Sequence, residues 1–274
     1  MAIAIALLLV GLVGGFLAGF LGIGGGIVYI AILPIFLKQA GIPNNELVQF
    51  IIANSIFGTM IAAISGNIVH LKYNRFYKKE VALVGLAGTI SALATLYFVV
   101  HTSWYSQELF NLVIVLLLIV ILYKTLKNSS RKFRFVREVS FDQGKLSLSG
   151  ISGGFIAASS GLGGGAIIVP LLNLGLKMNI KKAKSISLGV IFITSVVITI
   201  YNTMINAPQT IEVTNYGYII PSIVLPMSLG ALISTPFGVV ISRKSPAFLI
   251  AYIFSAFIAL VIFKKSLELY QFLD

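Results

Sequence analysis

The sequence predicts an all-α polytopic membrane protein, built as an inverted-topology repeat in which each half is a glycine-broken helical hairpin plus three transmembrane helices. Three observations lead to this fold class. The 274 residues are 58% hydrophobic and only 10% charged, which is far more apolar than an average soluble domain. Uncharged stretches of about 20 residues, enough to span the hydrocarbon layer as a helix, recur along the chain. A glycine-rich sequence in the first such stretch is repeated in the second half.

Composition also limits the chemistry of the protein. The chain has no cysteine, which excludes disulfides and thiolate metal sites. Its net charge of +12 is compatible with a nucleic-acid partner, but the basic residues lie between apolar segments, a distribution that membrane topology explains. All eight acidic residues and both histidines are predicted at helix ends or in loops. The sequence therefore predicts no cofactor and no metal site, and it argues against an intramembrane enzyme.

The first half opens with two apolar arms, 3–21 and 27–37, which are joined by Gly22-Ile23-Gly24-Gly25-Gly26. A break of this kind frees backbone N–H groups that lipid cannot satisfy, so it is tolerated only where protein or a polar cavity surrounds it. The break is therefore a candidate site. Three helices are predicted to follow, at 47–69, 81–100 and 109–126.

The second half repeats this order. Its arms, 146–160 and 166–176, are joined by Gly161-Leu162-Gly163-Gly164-Gly165. Three helices are predicted to follow, at 185–201, 216–241 and 246–263. A polar, basic connector separates the two halves. The predicted division is 1–127 for the first membrane repeat, 128–144 for the cytoplasmic connector and 145–274 for the second membrane repeat.

Two shifts of the sequence align the halves. A shift of 139 places nine residues of the first hairpin on identical residues of the second, beginning with Gly11 on Gly150. A shift of 135 then lays 56–59 on 191–194, so the repeat is predicted to continue into the next helix. Small residues spaced by four predict close helix packing, and the substitution Gly11→Ala is expected to be mild. These small residues are Gly11, Gly15 and Gly19, with Gly150, Gly154 and Ala158 in the second half.

Basic residues are enriched on the cytoplasmic side of membrane proteins. When the segments 70–79, 124–145, 177–184 and 243–244 are placed there, only three of the 20 Lys and Arg residues fall elsewhere: Lys38, Lys264 and Lys265. In this arrangement each hairpin returns to the side where it began, equivalent helices of the two halves run in opposite directions, and both termini lie outside. The predicted location is the cell (plasma) membrane, multi-pass, with the basic loops cytoplasmic.

The predicted binding site combines the two breaks with nearby polar residues. Each break precedes the N-terminus of a second arm, whose unpaired N–H groups and positive dipole end attract an anion. No Lys or Arg is predicted at the centre of a span, so the anion is expected to bind without a fixed buried counter-charge. Serine and threonine on the following helices are the other candidates, although such residues also bond their own backbone. The predicted substrate-binding residues are Gly22, Gly24, Gly25, Gly26, Asn54, Ser55, Thr59, Gly161, Gly163, Gly164, Gly165, Ser185, Ser187, Thr194 and Ser195.

The repeated glycine pattern also resembles a known family. Gly15-Phe16-Leu17-Ala18-Gly19 before the first break, Gly154-Phe155-Ile156-Ala157 before the second, and Val169-Pro170-Leu171-Leu172 after it are similar to the sulfite exporter TauE/SafE family. The similarity extends over essentially the whole chain, although Ala31 stands where the family usually has a proline. The resemblance implies transport of sulfite, sulfoacetate or a related small organosulfur anion.

The main prediction is a secondary transporter that binds a small anion between the two breaks near the membrane midplane, with export as the direction that the resemblance implies. The alternative is a membrane scaffold or assembly partner that transports nothing and in which the glycines only permit packing. The predicted partners are a small anionic substrate, the lipid bilayer and an unidentified coupling ion, without nucleic acid. The sequence leaves the oligomeric state open.

Overall fold

A computed structural model describes residues 2–73, 75–100, 102, 105–129, 142–207 and 213–270 of the chain. Regular structure in these ranges is helical, and the all-α fold class is confirmed. The helices are α1 (Ala2–Leu21), α2 (Gly26–Gln39), α3 (Leu47–Lys72), α4 (Lys78–Thr95), α5 (Gln107–Ser129), α6 (Gln143–Ser160), α7 (Gly165–Pro170), α8 (Ile180–Met204), α9 (Pro221–Lys244) and α10 (Ala247–Tyr270). Two π-helical turns, Leu96–Val100 and Leu171–Gly175, continue α4 and α7.

Within the described ranges, five helices are long and apolar enough to cross a membrane, judged by length and composition. They are Ala2–Leu21, Leu47–Lys72, Lys78–Val100, Ile180–Met204 and Pro221–Lys244. The second arm α2 has only 14 residues, which at 1.5 Å per residue gives about 21 Å, too short to cross about 30 Å of hydrocarbon. Its length fits a hairpin that enters the membrane and returns.

The starts of α8 and α9 each differ from the predicted boundary by five residues. Helix α8 begins at Ile180 rather than at residue 185, because Asn179 caps it by accepting a hydrogen bond from the Lys181 N–H (2.9 Å). Lysines that were predicted in a loop therefore lie on the first turns of a helix. Helix α9 begins at Pro221 rather than at residue 216, so this proline stands at the first helical position, where its missing N–H costs no hydrogen bond.

The first arm of each hairpin packs along a helix of the other half. Where α1 lies against α9, a methyl group at Gly11 would be 1.9 Å from the carbonyl oxygen of Met227. Where α6 lies against α4, a methyl group at Gly154 would be 1.9 Å from the carbonyl oxygen of Gly88. The predicted packing role of these glycines is confirmed. The expectation that Gly11→Ala is mild is wrong, because the two backbones leave no space for a methyl group.

The contacting residues also give the directions of the helices. Gly11 meets Met227, and Gly19 meets Thr235, further along α9, so α1 and α9 are parallel. Contacting residues also follow one another in the same chain order along α3 and α9, and along α4 and both α6 and α8. Helix α3 is therefore parallel to α9, and α4 is parallel to α6 and α8. Gln49, near the start of α3, donates to the carbonyl of Val100 at the end of the π-helical turn after α4 (3.0 Å), so α3 and α4 run in opposite directions. Equivalent helices of the two halves are thus inverted, as predicted.

Basic residues from both halves meet at one end of the bundle, which we call the basic end. Lys181 Nζ donates to the Arg243 carbonyl oxygen (2.8 Å), and the Arg243 guanidinium carbon lies 3.6 Å from the centre of the Tyr73 ring. A cleft of about 310 Å³ opens here. It is lined by Tyr73, Arg75, Lys181, Val240, Arg243 and Lys244. The predicted convergence of the basic segments 70–79, 177–184 and 243–244 is confirmed.

The membrane orientation of the basic end stays a prediction, as does the division of the chain at 127/128 and 144/145. Residues 130–141 of the connector lie outside the described residues. Two of the three basic residues predicted to lie away from the cytoplasmic side, Lys264 and Lys265, are far from the basic end. Lys265 Nζ donates to Glu268 Oε2 (2.7 Å) and to Asn111 Oδ1 (3.2 Å), near the start of α5, while Lys264 donates to the Ala31 carbonyl oxygen.

Candidate functional site

The two breaks have the same backbone conformation. Gly22, Gly24 and Gly25 have φ angles of 76°, 86° and 76°, and the equivalent glycines of the second break have φ angles of 72°, 80° and 73°. Residues with a side chain rarely adopt such left-handed angles, whereas glycine adopts them at little cost. This requirement explains why the pattern Gly-x-Gly-Gly is repeated in both halves.

The structure brings the two breaks into direct contact. A methyl group at Gly26 would lie 2.5 Å from the carbonyl oxygen of Gly161, and one at Gly165 would lie 2.7 Å from the Cα atom of Ile23. The Thr59 side chain sits beside both breaks: its methyl carbon is 2.6 Å from the position of a Cβ atom at Gly24, and equally close to that position at Gly163.

Helix α3 shows at what depth in the helix bundle the two breaks meet. Thr59 lies at the middle of this helix, which begins at Leu47 and ends at Lys72. Helix α3 is one of the five helices long enough to span a membrane. The two breaks therefore meet near the middle of a spanning helix.

One serine on each following helix fixes the break of the opposite half. Ser55 Oγ on α3 donates to the Gly161 carbonyl oxygen (2.8 Å), and Ser187 Oγ on α8 donates to the Gly22 carbonyl oxygen (2.9 Å). Ser55 and Ser187 are therefore structural equivalents. The predicted shift of 135 does not superimpose them and is wrong for these helices. The reason is that the segment between the break and this serine, 27–54 in the first half and 166–186 in the second, is longer in the first half.

Each break leaves backbone donors at the start of the second arm. Gly25 and Gly164 are the N-cap residues of α2 and α7, and no side chain caps either helix. The first N–H groups bonded to these caps belong to Val28 and Ile167. The two N–H groups that precede each of them have no acceptor within their own helix, as at any helix start. Both breaks therefore offer N–H donors close to their mutual contact.

Thr59 is the predicted polar residue with the most suggestive environment. Its side chain is fully buried, its methyl group faces the two breaks, and its hydroxyl oxygen has no hydrogen-bond partner in the described structure. Buried hydroxyl groups in proteins are nearly always paired. An unpaired hydroxyl beside the meeting point of the breaks is an available donor for a ligand.

Four other predicted residues lie away from the breaks or already have partners. Asn54 holds the segment before α9, donating to the Tyr218 carbonyl (2.9 Å) and accepting from the Ile220 N–H (3.0 Å). Ser185 donates to a backbone carbonyl of the basic end, that of Arg75. The hydroxyls of Thr194 and Ser195 donate to carbonyls of their own helix. These contacts give all four residues a structural role.

Sequence reasoning missed Lys184. This lysine was counted with the basic loop, but it is on α8 and only 6% exposed. Its Nζ donates to the Phe20 carbonyl oxygen in the last turn of α1 and to Ser242 Oγ (2.9 Å each). Its side chain packs on the first break: a Cβ atom at Gly22 would lie 2.8 Å from Lys184 Cβ. The sequence predicts an anion bound without a fixed buried counter-charge; the structure places a buried lysine against the first break.

A second cleft, the tyrosine cleft, opens at the end opposite the basic end and has a volume of about 500 Å³. It is lined by Asn44, Asn45, Glu46, Gln49, Thr102, Tyr105, Ser106, Gln107, Glu108 and Tyr218. Tyr105 Oη donates to the Ser159 carbonyl oxygen (2.5 Å), just before the second break, and Tyr218 Oη donates to Glu46 (3.1 Å). Burial raises the pKa of both tyrosine hydroxyls. Tyr105 thus lies between the cleft and the second break.

Comparisons with known proteins agree with this architecture. The family model described as sulfite exporter TauE/SafE matches residues 7–264. A protein of Methanocaldococcus jannaschii named as a probable membrane transporter is 28% identical over 243 residues, which cover 87% of this chain and 86% of that protein. No solved structure matches the chain. As the glycine repeats predicted, the chain is a multi-pass membrane transporter rather than an enzyme, and it belongs to the sulfite exporter TauE/SafE family.

Proposed function

We propose that this protein is a secondary transporter that exports a small anion, a sulfur oxyanion or organosulfonate such as sulfite or sulfoacetate. The anion is held between the two breaks, near the membrane midplane. The observation that carries the proposal is the direct contact of two uncapped, left-handed glycine breaks beside the middle of α3. Membership of a family described as sulfite exporters supports a sulfur anion as the substrate.

The chemistry of the breaks favours an anion. The N–H groups at the start of α2 are donors, and the positive end of a helix dipole is equivalent to about half an elementary charge. Thr59 adds an unpaired hydroxyl at the same place. Together these groups match the several acceptor oxygens of a sulfite or sulfonate. Neutral sugars and cations have no such match.

The architecture favours a transporter. Inverted repeats with broken helices hold substrate at the interface of the repeats in secondary transporters. Here the Gly26 and Gly165 backbones touch the opposite break, so an anion enters only when the breaks separate. Clefts lie at both ends of the bundle, one basic and one lined by tyrosines and carboxylates. Alternating opening of the two ends would move the anion across.

The charge difference between the ends favours export. The basic end attracts anions, and basic segments face the cytoplasm in most membrane proteins. The tyrosine cleft instead contains Glu46 and Glu108, whose carboxylates repel anions that have left. Anion capture is therefore faster at the cytoplasmic face and is expected to weaken with ionic strength.

The test is efflux of radiolabelled sulfite and sulfoacetate from proteoliposomes that contain the purified protein. Empty liposomes and liposomes with a Gly164→Val variant are the controls. The proposal expects saturable flux that sulfonates inhibit and that neutral sugars and cations leave unchanged. Flux of a neutral solute or a metal cation alone would contradict the anion assignment. A folded protein that moves no solute would support the scaffold alternative.

A further inference from the structure

We infer that Lys184 supplies the positive charge that binds the transported anion, and that its ammonium group exchanges Phe20 and Ser242 for the anion when the anion enters. The inference deepens the proposed function and rests on it. It assigns one side chain to a site that is otherwise made of backbone and hydroxyl groups, and it narrows the ligand to an oxyanion able to accept from a lysine.

The first argument is the state of the charge. Lys184 is almost fully buried, and among the described residues no ion pair involves it. The charged neighbours with which it interacts electrostatically include Lys181, also basic. A buried ammonium without a carboxylate partner carries a desolvation cost, because the charge has lost its hydration. An anion at the break would reduce this cost.

The second argument is the count of donors. A lysine ammonium has three N–H donors. Two of them have acceptors here, the Phe20 carbonyl oxygen and Ser242 Oγ, both neutral and both at 2.9 Å. No third hydrogen-bond acceptor of Lys184 is found in the described structure, although its Nζ also lies 5.8 Å from the centre of the Phe20 ring. The remaining donor is available to a ligand before either existing bond is broken.

The third argument is position. Lys184 and Ser187 are three residues apart, so they lie on the same face of α8. Ser187 donates to the Gly22 carbonyl oxygen, and the Lys184 side chain packs against Gly22. The two residues therefore flank the first residue of the first break. The lysine stem is fixed on the break, and rotation about its terminal bonds carries the ammonium between the basic end and the break.

The fourth argument is that the second break has no equivalent charge. The residue beside Gly161 is Ile52, whose Cα atom would lie 3.3 Å from a Cβ atom at that glycine. Ile52 precedes Ser55 by three residues, as Lys184 precedes Ser187. Only one of the two equivalent positions carries a cation, which matches a site for a single anion.

The two acceptors that the Lys184 ammonium bonds belong to other helices, so the loss of these bonds would affect how the helices are held together. Phe20 is in the last turn of α1, and Ser242 is in the last turn of α9. Lys184 therefore fastens α8 to both of these helices on the side of the basic end. When the ammonium turns to the anion, these two contacts are lost. Binding of the anion would then loosen the basic end.

The first experiment measures sulfite binding by isothermal titration to the purified protein and flux in proteoliposomes. Lys184→Met keeps an unbranched stem of similar length but removes the charge, and we expect it to lower sulfite affinity by at least about tenfold. Lys184→Arg keeps the charge and is expected to retain part of the binding. Lys38→Met, which removes an exposed cation in the last turn of α2 that lines neither cleft, is the matched control and should stay within about twofold of the wild type.

The second experiment uses a variant that does not touch the buried charge. Ser242→Ala removes an acceptor that competes with the anion, so we expect sulfite affinity to rise by about two- to fivefold. Ser245→Ala, whose hydroxyl donates only to the Ile241 carbonyl on the preceding helix, is the control and should change nothing. A purely structural lysine would give unchanged or weaker binding with Ser242→Ala.

The outcomes separate the two proposals. Unchanged sulfite affinity in a folded Lys184→Met variant, or unchanged or weaker binding in Ser242→Ala, would overturn the role of Lys184 while the wild type still transports sulfite. A wild-type protein that neither binds nor moves sulfite, sulfoacetate, sulfate or a simple carboxylate would overturn the proposed function itself.

Discussion

The two breaks share one frame but have different surroundings. In both, three glycines have left-handed angles, and a serine from the opposite half holds the first carbonyl. The helix positions around this frame differ. Lys184 beside the first break is replaced by Ile52 beside the second, and Thr59 on α3 corresponds in register to Ile191 on α8. The shared features are those that shape the backbone, whereas Lys184 and Thr59 each have an apolar residue at the equivalent position of the other half. The repeat therefore builds a symmetric frame that carries an asymmetric site.

The largest expected effect comes from breaking the frame itself. Gly25→Val and Gly164→Val place a branched side chain at φ angles of 76° and 73°, with a Cβ atom 2.6 or 2.4 Å from a backbone oxygen. Both variants should abolish flux in proteoliposomes and lower the thermal stability. Gly175→Ala is the control, because beyond the neighbouring backbone no described atom lies within 4 Å of the added methyl group. Full flux in both valine variants would show that the breaks do not form the site.

A smaller but still severe effect is expected at the contacts between the halves. Gly11→Ala and Gly154→Ala each push a methyl group to 1.9 Å from a backbone carbonyl oxygen. Overpacking of this kind costs about 1–3 kcal/mol. Thermal unfolding in detergent should show similar losses for the two variants, because they occupy equivalent contacts. A loss in one variant only would mean that the halves are not packed symmetrically.

Replacing the serines that hold the breaks should cost less. Ser55→Ala and Ser187→Ala each remove one buried hydrogen bond to a glycine carbonyl, a change worth about 1 kcal/mol. We expect nearly equal decreases in the unfolding temperature. If the loss of Ser187 weakens sulfite binding more than the loss of Ser55, the polar chemistry is concentrated at the first break, as the position of Lys184 implies.

The smallest change in stability is expected for the removal of the Thr59 hydroxyl, and the direction of that change is informative. Thr59→Val keeps the shape of the side chain and removes a buried hydroxyl that has no partner in the described structure. The variant should be as stable as the wild type, or more stable by about 1 kcal/mol. Sulfite affinity should nevertheless fall several-fold if the hydroxyl donates to the ligand. Unchanged affinity would make Thr59 a packing residue only.

The fold was predictable from the sequence because it depends on features that are periodic or repeated. The length of the apolar stretches predicts the spans, the identical glycines predict the repeat, and the distribution of Lys and Arg predicts the inverted arrangement. The register of α3 against α8 was missed because a shift of 135 matches Ile56 and Phe57 to identical residues, whereas hydrogen bonds pair Ser55 with Ser187. Sequence similarity between apolar helices carries little information on register.

The site was only partly predictable. The glycine breaks, Ser55, Thr59 and Ser187 lie together, but Asn54, Ser185, Thr194 and Ser195 have partners elsewhere. Whether a serine faces a break or its own helix depends on rotation of the helix, which residue type does not specify. Lys184 follows other lysines in the segment 177–184, which is predicted as a basic loop. The available signal was Asn179, a residue type preferred as an N-cap, which starts the helix at Ile180 and so places Lys184 on it.

The contact between α1 and α9 has a consequence for how the protein is made. Gly11 lies near the beginning of the chain and Met227 in its last quarter, yet their backbones touch. At about 5–20 residues per second, roughly 10–40 s pass between the synthesis of the two. During this time α1 stays in the bilayer without its partner, and the glycine-lined face that α9 will cover is in contact with lipid or with an insertion factor. The hairpin that begins the transporter is therefore the element whose assembly must wait for the last quarter of the chain.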